Sequence, residues 1–182
     1  MLKLFIFLLG SFGFVILSLH ALVRPLSHGF PRFFAFEAIL GLVILNVPVW
    51  FVDPFSLPQL VSWALLLDSG FLAARAYYVL RQVGKPDKSI QDSIRLGLEK
   101  TTRLVTVGPY RIIRHPMYAA LLCLAWGVFL KQVSLSSGLL VLMASVALYT
   151  TAVFEERENL QYFGDEYTAY MQRTKRFIPF LF

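Results

Sequence analysis

Runs of about twenty apolar residues, each long enough to cross a lipid bilayer as a helix, constrain this chain more than anything else in it. They lie at 2–23, 33–52, 60–80 and 135–154, and a shorter one lies at 117–130. Lipid offers no hydrogen-bond partners, so a spanning segment must satisfy its own backbone, and runs of this length do so as α-helices. Only "KQVS" separates the last two runs, so they are expected to form a helical hairpin. The expected fold is an all-α integral membrane bundle of about five transmembrane helices, ending in that hairpin and an amphipathic tail. One domain covers 1–182. Its parts are three spans within 1–80, a polar loop at 81–116, the hairpin at 117–154 and the tail at 155–182.

Composition agrees. Charged residues make up 15% of the chain and hydrophobic residues 57%, with mean hydropathy +0.64; soluble domains carry about 25% charged residues. The first run exceeds the usual signal-peptide core of about 7–15 residues and shows no small-x-small cleavage site, so it is expected to remain as a span.

The net charge is +6 and the isoelectric point about 9.6. The basic residues sit between apolar runs, which points to membrane topology rather than nucleic acid. With five spans, one side holds Arg24 and Arg32, eight basic residues of the long loop from Arg81 to Arg114, and Arg157, Arg173, Lys175 and Arg176 of the tail. The other side holds Lys3 and Lys131. The positive-inside rule therefore puts the loop and tail in the cytosol and the N-terminus outside. The expected location is a bacterial or archaeal inner membrane or the endoplasmic reticulum. Cys123 is the single cysteine, which excludes an intrachain disulfide; zinc-ligand spacing is absent and no metal is expected. The ending "RFIPFLF" is not a prenylation box.

The tail places Leu160, Phe163, Tyr167 and Tyr170 at helical spacing with charges between them. That pattern predicts an amphipathic helix on the membrane or on the bundle, bent at Gly164. Within the spans, Asp68 and Arg75 are two turns apart on one face. They either line a cavity, or Asp68 finds a buried partner while Arg75 snorkels to the helix end. His20 and Glu37 are expected to snorkel, Cys123 to pack, and Asn46 with Pro48 to kink the second span.

The densest polar chemistry is "GPYRIIRHPMY", residues 108–118, at the mouth of the fourth apolar run. Pro116 suits the first position of a helix. Arg114 and His115 then stand before a helix N-terminus, where free N–H groups and the dipole favour an anionic group. Tyr110 and Tyr118 offer faces and hydroxyls to a ring or a ribose. The alternative is an interfacial belt of Arg and Tyr. A second cluster, Glu155, Glu156 and Glu158, closes the fifth run; a hairpin brings Glu155 near His115. Acidic groups beside basic ones suit a ligand carrying both charges, or they solvate a helix end.

"LVTVGPYRIIRHPMY", followed one hairpin later by "EERENLQYFGDEYTAYMQRT" and "RFIP", resembles the isoprenylcysteine carboxyl methyltransferase family, within a wider group of membrane methyltransferases that includes phospholipid N-methyltransferases. The resemblance covers about residues 98 to 180. It implies S-adenosylmethionine in a cytosolic pocket, held by Thr102, Leu104, Val105, Tyr110, His115, Pro116, Tyr118 and Glu155. It also puts Glu155 and Arg114 at the reacting centre. The implied acceptor is lipophilic: a prenylcysteine carboxylate, a lipid or a thiol. Thr102 stands where the family often has histidine, and Thr151 where the prenylcysteine enzymes tend to carry an arginine. Arg157 is on a different face from Thr151 and does not replace it. Methyl transfer needs positioning and desolvation more than a strong base, consistent with the lack of a nucleophilic triad. Two other classes stay open: an NADPH-dependent membrane reductase of the sterol-reductase type, which also carries an Arg-His-Pro-x-Tyr, and a non-catalytic membrane scaffold.

Overall fold

The structure, a computed structural model, describes residues 1–84 and 103–179. Six α-helices account for most of them: α1 (Leu2–Leu22), α2 (Gly29–Asn46), α3 (Leu57–Val83), α4 (Pro116–Phe129), α5 (Leu135–Phe163) and α6 (Asp165–Arg173). Helices α1, α3 and α5, and α2 with the turn after it, are long and apolar enough to cross a membrane. Apolar α4 has 14 residues, a length of about 21 Å at 1.5 Å per residue, which is shorter than a typical hydrocarbon core.

Packing follows side-chain size. Helix α3 packs on α4, α2 on α5, α4 on α5, and α1 on α2. The core joins Ala35, Ala38 and Leu42 of α2, Ala125 and Val128 of α4, and Ala144, Leu148 and Ala152 of α5, all buried. In lipid, helices gain little from hiding apolar surface; small residues let the backbones come close enough for dispersion and hydrogen bonds to hold them. Ser62 Oγ accordingly donates to Gly127 O at 2.7 Å between α3 and α4. Asn46 Nδ2 donates to Leu42 O at 2.8 Å and to Ser137 Oγ at 3.4 Å.

Several expectations change. Helix α2 stops at Asn46, and Pro48 sits in a 3-10 turn, Val47–Val49, so this pair ends the helix rather than kinking it. Glu37 does not snorkel: it accepts a hydrogen bond from Ser11 Oγ of α1. The tail is not one amphipathic helix. Helix α5 runs on to Phe163, and Gly164 breaks it at φ +56°, a conformation that L side chains rarely adopt. Leu160 and Phe163 thus belong to α5, whereas Tyr167 and Tyr170 belong to α6 and are buried against the bundle. Asp68 and Arg75 are both exposed on α3; Asp68 Oδ2 accepts from Cys123 Sγ at 3.6 Å.

The two ends of the bundle differ. At one end, Lys131 Nζ donates to Gln59 Oε1 at 2.9 Å and lies 3.4 Å from the Trp63 ring centroid, a cation–π seal. At the other end the α1–α2 turn, the start of α4, the end of α5 and α6 converge.

Candidate functional site

That second end encloses a cavity of about 170 Å³. Leu104, Val105, Tyr110, Arg114, His115, Pro116, Tyr118 and Glu155 all line it. Every expected site residue except Thr102 is therefore in one place, and Thr102 lies outside the described residues. Asp68, Arg75 and Thr151 do not line it. Thr151 is buried, and its hydroxyl is taken by Ala147 O at 2.7 Å. Arg157 is exposed and sits over Phe154.

The local chain explains how these groups arrive. Gly108 takes φ +61° and starts a 3-10 turn, Gly108–Arg111, that turns Tyr110 inward. Tyr110 packs with Ala76 and Val79 of α3 and Val105. Its carbonyl accepts from Tyr170 Oη of α6 at 2.6 Å. Pro116 opens α4, so His115 is its N-cap residue and His115 O takes the first backbone bond, from Ala119 N at 2.9 Å. The N–H groups of Arg114 and His115, which precede the helix, point at the tail. They donate to Lys175 O at 2.7 Å and Arg176 O at 3.2 Å, while Lys175 N donates to Ile112 O at 3.2 Å. The chain after α6 thus runs as a strap beside 112–115.

Two glutamates of α5 divide the polar work. Glu155 Oε2 accepts from Tyr118 Oη at 2.6 Å and lies 3.9 Å from His115 Nδ1. The hairpin has brought Glu155 and His115 together as expected. The His115 and Tyr118 rings stack, with centroids 5.5 Å apart and planes 15° off parallel. The neighbouring Glu156 is only 4% exposed. It accepts from Arg114 Nε at 2.8 Å, Arg176 Nη2 at 2.6 Å and His115 Nε2 at 3.3 Å. Its hydrogen bonds hold the Arg176 guanidinium above its ordinary pKa. Arg114 also donates through Nη1 to Met171 O at 3.3 Å and to Thr174 O. Its guanidinium is thus committed to tying the tail to the bundle, although it borders the cavity. Burial pushes the Tyr167 and Tyr170 phenols above their ordinary pKa, so both stay neutral.

Sequence reasoning missed the contribution of α2. His28, the N-cap residue of α2, and Arg32 and Phe36 within it line the cavity at four-residue spacing. His28 Nδ1 lies 2.6 Å from Glu158 Oε2, and His28 N donates to Glu158 Oε1 at 3.1 Å. Asn159, Phe163, Tyr167 and Tyr170 add to the wall from α5 and α6. The i, i+4, i+8 spacing of a histidine, an arginine and a phenylalanine was the available signal, but nothing local says what that face meets. Among the described residues, no His, Cys, Asp and Glu cluster has the makings of a metal site.

Residues 59–166, from α3 into α6, match the phospholipid methyltransferase family. The chain belongs to that family. The chain is similar to protein-S-isoprenylcysteine O-methyltransferase B of Arabidopsis thaliana, 26% identical over 136 residues, 72% of this chain and 61% of that one. A probable protein-S-isoprenylcysteine O-methyltransferase of Oryza sativa subsp. indica is 33% identical over 98 residues, 52% of this chain and 50% of the relative. Methanethiol S-methyltransferase of Pseudomonas deceptionensis is 23% identical over 154 residues, 82% of this chain and 50% of the relative. The alignments thus span half to 61% of the length of these relatives. No solved structure gives a significant match. The family match stops short of α2, so His28, Arg32 and Phe36 lie outside the part of the cavity that it covers.

Proposed function

We propose that this chain is an S-adenosylmethionine-dependent methyltransferase that acts on a lipophilic acceptor at the membrane face. The observation that carries the proposal is the convergence of Tyr118, His115 and Glu155 in one cavity of a chain that belongs to this family. The residues fit the donor's chemistry. Glu155, oriented by Tyr118, suits an ammonium or ribose hydroxyls. Tyr110, Leu104 and Val105 offer apolar and aromatic wall to an adenine. His115 and the start of α4 suit a carboxylate. When bound, the donor supplies a methyl group on a positively charged sulfur, already activated towards displacement. The chain's share of the work is to hold both reactants, exclude water and keep the acceptor aligned.

We assign Glu155 to donor contact and Arg114 to holding the loop and tail in place, because its hydrogen bonds go to Glu156 and two carbonyls. A charge distribution that favours the loop and tail puts the cavity mouth in the cytosol and the N-terminus outside. The acceptor then comes from the bilayer and the donor from the water. The named activities of the relatives, on prenylated cysteine and on methanethiol, define the acceptor classes to test.

The test uses the full chain purified in detergent, heated with S-adenosylhomocysteine or with NADPH. A ligand of the folded state at 100 times its dissociation constant stabilises by about 2.7 kcal/mol. S-adenosylhomocysteine is expected to raise the melting temperature and NADPH to leave it unchanged. A shift with NADPH alone would overturn the methyltransferase reading in favour of a reductase, and no shift with either would favour a scaffold. Labelled methyl transfer into lipid, small-thiol and prenylcysteine pools then identifies the acceptor.

A further inference from the structure

Glu156 lies outside every set of residues expected to touch donor or acceptor, yet it accepts hydrogen bonds from two arginines and a histidine. It sits at a junction of three segments that are distant in sequence. Arg114 and His115 come from the loop before α4, Glu156 from the end of α5, and Arg176 from the strap after α6. It is 4% exposed, and a carboxylate removed from water is retained only when paired and hydrogen-bonded. Two guanidiniums within 2.8 Å meet that need. A carboxylate ion-paired in this way accepts hydrogen bonds and donates none.

The consequence falls on His115. Its Nε2, 3.3 Å from Glu156 Oε1, must carry the hydrogen. That bond sets both the tautomer and the ring plane. Nδ1 is thereby turned towards Glu155, 3.9 Å away, and the ring face lies along Tyr118. Phe177 of the strap flanks the same ring, with centroids 6.1 Å apart. The strap's backbone bonds to Arg114 and His115 keep that segment from moving away.

We propose that Glu156 is a positioning residue: it fixes the Nε2–H form of His115 and ties the strap, through Arg176, to the wall of the donor pocket. The proposal rests on the reading of His115 as a donor contact. It adds that the Arg176–Glu156–His115 chain makes the pocket competent and that Glu156 itself touches neither reactant. A side chain that accepts at the same place without charge preserves the positioning; one that does not accept abolishes it.

The experiment reads the histidine directly. The chain has three histidines, so ¹⁵N-histidine labelling gives a short spectrum, and His115→Asn identifies the His115 signals. In the full chain His115 is expected to be protonated at Nε2, whether or not Nδ1 also carries a proton. Glu156→Gln is expected to keep that pattern and to bind S-adenosylhomocysteine within about threefold of the parent. Glu156→Leu is expected to lose the preference for Nε2–H and to weaken binding roughly tenfold or more, as the loss of a hydrogen bond to a charged group does. A parent chain whose His115 is protonated at Nδ1 alone overturns the proposal. So does a folded Glu156→Leu variant with the parent's spectrum and affinity. If Glu156→Leu does not fold, the parent and Glu156→Gln spectra decide alone. Failure of the parent to bind S-adenosylhomocysteine would sink the methyl-transfer reading, while the spectrum would still decide whether Glu156 positions His115.

Discussion

Gly108→Ala is a demanding test of how the site is held, because two independent features of the structure forbid a side chain there. Gly108 has φ +61°, which costs an L-residue about 1–2 kcal/mol. A Cβ at this position would also lie 2.9 Å from Val79 Cγ2, inside van der Waals contact. Valine in a helix has one strongly preferred rotamer, so Val79 cannot swing aside. Overpacking of this kind costs about 1–3 kcal/mol. Together the two effects predict a loss of roughly 2–5 kcal/mol. At about 2–4 °C per kcal/mol for a chain of this size, the melting temperature should fall by roughly 4–20 °C. The same turn carries Tyr110, so S-adenosylhomocysteine affinity should fall with it. The double variant Gly108→Ala/Val79→Ala separates the causes: it removes the clash and leaves the φ penalty. Thermal melts of the four proteins in detergent should then show a favourable coupling of about 1–3 kcal/mol. An unchanged melting temperature in Gly108→Ala, or no coupling in the cycle, would refute the placement of the turn against α3.

His115→Ala and Glu155→Ala should each weaken S-adenosylhomocysteine binding by roughly tenfold in isothermal titration, the loss of a charge-assisted contact, whereas Cys123→Ser should bind normally, since Cys123 lies away from the cavity on Asp68. Normal binding by both site variants would show the pocket assignment to be wrong. Lys131→Met should leave binding intact and lower stability by about 1–2 kcal/mol, because it removes the cation–π contact with Trp63 and the bond to Gln59 at the far end. An unchanged melting curve would mean that this seal contributes nothing.

Much of the architecture was legible as periodicity. Spans, the short α4 and the hairpin followed from run length and from the four-residue break at 131–134. Pro116 marked the start of α4 to the residue. Gly164 was expected to bend the tail helix and instead breaks it, because Leu160, Phe163, Tyr167 and Tyr170 keep helical spacing across it and periodicity alone does not show a positive φ. The backbone pairing of Arg114 and His115 with the strap was not legible either. Their acceptors, Lys175 O and Arg176 O, lie about sixty residues further on, where no local rule reaches.

The sequence by itself determined that this chain has runs long and apolar enough to cross a membrane, that most of its basic residues lie between and after those runs, and that a Gly-Pro turn, an Arg-His-Pro-x-Tyr and a glutamate pair resemble one family's motifs. Those properties are local: they depend on how many apolar residues run together and which residues adjoin. Tertiary structure alone decided how the polar groups are shared out. It gave Glu155 to Tyr118 and the cavity, Glu156 to His115 and two arginines, and brought His28, Arg32 and Phe36 of α2 to the same wall. Adjacent glutamates on a helix point about 100° apart, so neighbours in sequence face different partners. Which partner each one meets depends on how the other helices pack around α5.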